Sequence, residues 1–117
     1  RRQRQMCIET AKAPFGIVGS ETAYALSLTH LVKTGKLTPL QLVEKMSTNP
    51  CRILSVPGGT LSVGASADIT IADMDSEYVI DKNTFLSKGK NTPFDGAKVN
   101  GRVYYTIVGG NIVYQYE

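Results

Sequence analysis

Residues 85–116 read FLSKGKNTPFDGAKVNGRVYYTIVGGNIVYQY, and the second half of that stretch decides the fold. Val103, Tyr104, Tyr105, Thr106, Ile107 and Val108 form one run of β-branched and aromatic residues, and Ile112, Val113, Tyr114, Gln115 and Tyr116 form another. Between them stand Gly109, Gly110 and Asn111, which accept the positive φ angles of a tight hairpin turn. The pattern predicts an antiparallel hairpin. Ahead of it lies a glycine-punctuated loop bearing Lys88 and Lys90, with Gly96 and Gly101 spaced before the strand. Strand propensity does not by itself require that order of loop residues.

Upstream of this stretch, residues 68–73 alternate, with Ile69 and Ile71 on one face of a predicted strand, and Tyr78, Val79 and Ile80 make a second, shorter one. Asp68, Asp73, Asp75, Glu77 and Asp81 match no calcium-loop spacing and read as strand-end and turn residues. Before residue 60 the period is helical. Ser20 is the expected cap of an amphipathic helix that sets Tyr24, Leu28, Leu31 and Val32 on one side until Gly35 stops it. Thr38, Pro39, Leu40 and Gln41 spell a capping box with proline at the first helical position, opening a helix expected to bury Leu42, Val43 and Met46. Asn49 and Pro50 repeat the device for a short helix through Leu54, and Pro57, Gly58 and Gly59 close the helical half. Helices first and strands after give an α+β class, divided into residues 1–57 and residues 58–117.

Composition sets the outer limits. The chain has 117 residues, 42% of them apolar and 20% charged, which fits a folded domain rather than a disordered chain, and no apolar run reaches membrane-spanning length. The net charge is +3, and Arg1, Arg2 and Arg4 carry much of it, so no basic stripe points to nucleic acid. Cys7 and Cys51 have neither metal-ligand spacing nor the density of a disulfide framework; they read as free thiols in a reducing compartment. Residues 1–12 are polar and aperiodic, read as a mobile arm, and contain no apolar signal core, which points to the cytoplasm. His30 is the single histidine and reads as a helix-surface residue. Lys88 and Lys90 read as solvated loop lysines. In the loop of residues 13–19, Pro14 fixes φ, while Gly16 and Gly19 permit conformations or close approaches that a ligand-facing loop and an ordinary turn both use.

The segment SKGKNTPFDGAKVNGRVYYTIVGGNIVY resembles the closing part of bacterial dihydroorotases, members of the metal-dependent amidohydrolase superfamily. APFGIVGSETA, residues 13–23, resembles a second dihydroorotase motif, and Val63-Gly64 with Ala67-Asp68-Ile69 resembles the glycine-then-Ala-Asp pattern of many amidohydrolases. Together these cover almost everything from residue 11 to residue 116. The resemblance implies a C-terminal fragment of a longer chain. Residues 1–57 would be the last helical part of a TIM barrel, and residues 58–117 would be the C-terminal strands of a small β domain.

It further implies the interconversion of N-carbamoyl-aspartate and dihydroorotate in pyrimidine synthesis. The zinc there is held by histidines, a carboxylated lysine and an aspartate. None of those ligands maps onto this chain, so no catalytic or metal residue is expected on it and zinc belongs to the parent enzyme. By carry-over, Phe15 and Gly16 line the substrate pocket with main-chain groups, which read the amide edges of a small ring without ordering a side chain. Two alternatives stand beside this reading: a non-catalytic module that binds a partner, and a related cyclic amidase such as an allantoinase or hydantoinase. The expected partners are the small-molecule substrate and either further copies of the chain or the missing portion of the parent, with no nucleic acid and no membrane.

Overall fold

The structure, a computed structural model, describes residues 16–116. The polar arm of residues 1–12, Cys7 and the predicted pocket residue Phe15 lie outside the described residues. The element order is α+β, as the sequence predicts: α1 (Ala23–Ser27), α2 (Pro39–Val43), α3 (Asn49–Leu54), β1 (Ile69–Val79), β2 (Lys98–Val108) and β3 (Asn111–Gln115).

The first helix starts later than the cap expected at Ser20. The Gly19 carbonyl accepts the Thr22 and Ala23 N–H groups at 3.2 and 2.9 Å, so residues 19–22 make a turn and Thr22 takes the cap position. The buried residues of this helical run are Ala25 and Leu28, whereas Tyr24, Leu31 and Val32 are half-buried. Thr29 explains a local loosening. Its hydroxyl donates to the Ala25 carbonyl at 2.7 Å, and over Leu28–Val32 the helix widens to five-residue spacing, with Lys33 N–H reaching Leu28 O. Gly35, at φ +76°, ends the run where predicted.

The capping box at Thr38 forms in full. Thr38 Oγ1 accepts the Gln41 N–H at 3.2 Å, and Gln41 Oε1 accepts the Thr38 N–H at 2.9 Å. Leu42 is buried as expected, but Val43 and Met46 are 53% and 42% exposed, because nothing in the described residues packs over that face. The second cap, at Asn49, does not form. Asn49 sits at φ −66° inside one continuous helical run, and the segment before it, Glu44–Thr48, is widened in the same way as the first helix. Pro50 supplies a reason: its missing N–H and its ring cannot fit regular four-residue spacing, and a widened turn absorbs both. Ser55, left-handed at φ +53°, ends the run, with Val56 N–H bonding back to Cys51 O.

The sheet is antiparallel in the order β1-β2-β3. The predicted hairpin turn forms at Gly109 and Gly110, at φ +55° and +83°, and is one residue tighter than the sequence suggests, because Asn111 already pairs with Val108 as the first residue of β3. The two short strands expected at residues 68–73 and 78–80 are one strand with a bulge. Asp73 pairs with Arg102 and Glu77 with Asn100, so Met74, Asp75 and Ser76 stand opposite Gly101 alone. The Lys33–Asp75 ion pair ties that bulge to the end of the first helical run, and a bond from Asn100 Nδ2 to Asp75 O at 3.2 Å ties it to β2. Of the acidic residues expected at strand ends and turns, Asp73, Asp75 and Glu77 instead lie inside β1, because the bulge carries the strand through them, while Asp68 and Asp81 stand at its two ends. Asp68 accepts the Gly109 N–H at 2.7 Å, and Asp81 accepts the Asn83 N–H at 2.8 Å. The core gathers Ala25, Ile80 and Val99, with Leu26, Tyr78, Phe85 and Phe94 packed against it.

Candidate functional site

Two segments far apart in sequence meet in space: the strap of residues 16–21 and the loop of residues 85–91. Val18 N–H donates to the Asn91 carbonyl at 3.1 Å, and Asn91 Nδ2 donates to the Gly16 carbonyl at 2.7 Å. Glu21 closes the other end. Its carboxylate accepts Leu86 N–H at 2.9 Å, Ser87 N–H at 3.1 Å and the Ser87 hydroxyl at 2.7 Å. Burial pushes the Glu21 carboxyl up, but the hydrogen bonds from Ser87 and Leu86, with the charge of Lys90, outweigh it and hold the group below its ordinary value.

Gly89 and Lys90 of the loop each have a local reason. A Cβ on Gly89 would lie 2.9 Å from Val18 Cγ1, so the strap approaches closer than any side chain there would allow. Lys90 folds back to donate to Phe85 O at 2.7 Å, which makes it a staple of the loop rather than an anion clamp. The following residues seat the loop on the body. Asp95 accepts the Lys82 N–H at 3.1 Å and pairs with Lys82 Nζ at 3.1 Å, Gly96 N–H donates to Ile80 O at 2.8 Å, and Phe94 packs on the core.

Of the two predicted site residues, Gly16 lies on the strap, at φ +91° and exposed. Phe15 is outside the described residues. His30 is exposed on the helix, and Cys51 is a free thiol. Among the described residues no three His, Cys, Asp or Glu side chains converge as metal ligands would, so these residues do not fit a zinc site. Asn91 and Glu21 are the polar side chains that organise the site and that sequence reasoning did not single out. Their partners lie 75 and 65–66 positions away, a separation that carries no periodic signal.

A groove of about 820 Å³ borders the Glu21 end of the strap, lined by Tyr24, Tyr78, Phe85, Arg102 and Tyr116 among others. The Arg102 guanidinium is stacked between Tyr78 and Tyr116, 4.5 and 4.4 Å from the two ring centroids. Burial raises the Tyr78 phenol above its ordinary value against the opposing charge of Arg102. No helix among the described residues is long and apolar enough to cross a membrane.

The sequence pattern of the amidohydrolase family matches residues 5–113. A dihydroorotase from Acetivibrio thermocellus is 56% identical over 106 residues, which are 91% of this chain and 25% of that protein. The dihydroorotase of Bacillus subtilis is 50% identical over 107 residues, 92% of this chain and 25% of that protein. Among solved structures, L-hydantoinase (dihydropyrimidinase) from Arthrobacter aurescens superposes with a TM-score of 0.83 at 37% identity, covering 91% of this chain and 24% of that one. D-hydantoinase (dihydropyrimidinase) from Thermus sp. gives 0.81 at 26% identity, covering 90% and 23%. The chain thus spans about a quarter of the length of the curated relatives it matches.

Proposed function

The chain belongs to the amidohydrolase family, and from that premise we propose that it is the C-terminal part of a dihydroorotase. Such an enzyme is a cyclic amide hydrolase that interconverts N-carbamoyl-L-aspartate and (S)-dihydroorotate in pyrimidine biosynthesis in the cytoplasm. The observation that carries this reading is the junction of the strap and the loop: the two dihydroorotase-like motifs are bonded to each other through Gly16, Val18 and Asn91. Sequence identities of 50–56% to proteins named dihydroorotase support this choice over a hydantoinase, whose L-specific representative matches at 37%.

In the parent, residues 1–57 would finish a TIM barrel and residues 58–117 would complete a small β domain. Zinc, which supplies Lewis-acid polarisation of the amide carbonyl and an activated water in such enzymes, would be held by residues outside this chain. What this chain contributes is a wall: the main chain at Phe15 and Gly16, offered to the amide edge of a small ring. A backbone wall is ordered by the fold and leaves no flexible side chain to immobilise on binding.

The test is turnover by the longer protein that carries these residues, assayed with dihydroorotate, hydantoin and allantoin in parallel. Ring opening of dihydroorotate well above the other two is the expected result. Preference for hydantoin or allantoin would make it another cyclic amidase. Absence of turnover, together with no bound zinc after reconstitution, would leave the partner-binding module.

A further inference from the structure

We infer that Asn91 is a positioning residue for the main-chain wall at Gly16, acting through the strap rather than by touching substrate. The inference rests on the reading of Phe15 and Gly16 as pocket residues in a cyclic amidase. Asn91 grips the strap twice and in opposite senses. Its side-chain amide donates to the Gly16 carbonyl, and its own carbonyl accepts the Val18 N–H. A trans peptide is planar, so fixing the Gly16 carbonyl fixes the plane of the whole Gly16–Ile17 peptide and the direction of its N–H. Gly16 stands at φ +91°, a conformation with little intrinsic preference to hold it, so the orientation has to come from an outside partner.

The surroundings of Asn91 fit this role. Gly89 leaves room for Val18 to come within contact of the loop. Lys90 is tied to Phe85 O, and Glu21 fixes Leu86 and Ser87, so the backbone leading into Asn91 is anchored before the side chain reaches the strap. An aspartate could not replace it, because an ionised carboxylate has no N–H to donate and would face the Gly16 carbonyl with like polarity. A glutamine keeps the amide on a stem one methylene longer and would restore part of the bond.

Asn91→Ala, Asn91→Asp and Asn91→Gln in the longer protein test this, read by steady-state kinetics and by hydrogen exchange of the peptide spanning residues 16–20. Losing one well-formed hydrogen bond predicts a KM for the cyclic amide raised about tenfold in the Ala and Asp variants with kcat changed far less, and partial recovery in the Gln variant. Exchange in residues 16–20 should quicken by a similar factor while β2 stays protected as before. A purely structural role would instead lower protection across β2 and leave KM untouched, which overturns the inference. Unchanged exchange on the strap overturns it as well, even if the parent proves not to act on cyclic amides, so failure of the inference and failure of the functional reading are told apart.

Discussion

Leu28 occupies the space that a side chain on Gly101 would need. A Cβ there would sit 2.5 Å from Leu28 Cδ2 and 3.1 Å from Tyr24 Cε1, and Gly101 holds φ at +98°. The β1 bulge lies directly opposite, so bulge and glycine together make the seat in which the first helix packs on the sheet. Gly101→Ala combines overpacking with a left-handed alanine and should destabilise by roughly 2–4 kcal/mol. Denaturant unfolding of the longer protein checks it. A shift below about 0.5 kcal/mol would mean that the helix slides aside at little cost.

Arg102 leads to a second prediction. Its guanidinium lies between two tyrosine rings, and stacking at a partly exposed site is worth about 0.5–1 kcal/mol per ring. Lysine keeps the charge and loses the planar stack, so Arg102→Lys should cost about 1 kcal/mol, and the cost should largely vanish in a Tyr78→Leu, Tyr116→Leu background. An equal cost in both backgrounds would assign the effect of Arg102 to something other than the rings.

The parts of the fold read correctly from sequence are those set by local chemistry. The Thr38–Gln41 box, the Gly109–Gly110 turn and the stop at Gly35 each need a few adjacent residues and form as predicted. The misreadings have two causes. The cap at Asn49 and the break between residues 73 and 78 both look like punctuation, but the helix widens locally before Pro50 and runs on, while pairing with β2 carries β1 through a bulge opposite Gly101. The candidate site was half legible. The resemblance marked the strap and the loop as motifs, yet the bonds from Asn91 to Gly16 and from Glu21 to Ser87 are tertiary and leave no trace in spacing.

Gly16 itself can be probed. Among the described residues nothing lies within 4 Å of a Cβ placed there, so a side chain meets no clash and the penalty is conformational. Gly16→Val on this exposed strap should raise KM or lower kcat for the cyclic amide by distorting the wall, with little change in melting. Parent-like kinetics would return the strap to an ordinary turn.

Glu21 predicts a pH dependence. Its native carboxyl titrates below its ordinary value, so the three bonds to Leu86 and Ser87 add stability that is present at neutral pH and is lost as pH falls from about 4 through the lowered native value. Glu21→Gln has one oxygen for three donors and does not ionise. The variant should therefore be less stable than the parent at neutral pH, and the gap should close in acid. A constant gap from about pH 7 down to about pH 3 would show that the charge of Glu21 contributes nothing.

The surface of the chain carries the last prediction. Among the described residues Leu40, Ile53, Leu61 and Leu86 are largely exposed, both outer strands of the three-stranded sheet have an open edge, and the groove around Arg102 is apolar on most of its wall. At about 25 cal/mol per Å² of apolar surface, even about 400 Å² left uncovered forgoes on the order of 10 kcal/mol, comparable with the net stability of a whole domain. Strand edges and apolar helix faces then seek cover from other chains or from the rest of the parent. Expressed by itself, the polypeptide should associate with copies of itself or fold only when the remainder of the parent is supplied. Light scattering at micromolar concentration is the measurement, and a compact monomer that melts cooperatively would show that these residues hold a sufficient core of their own.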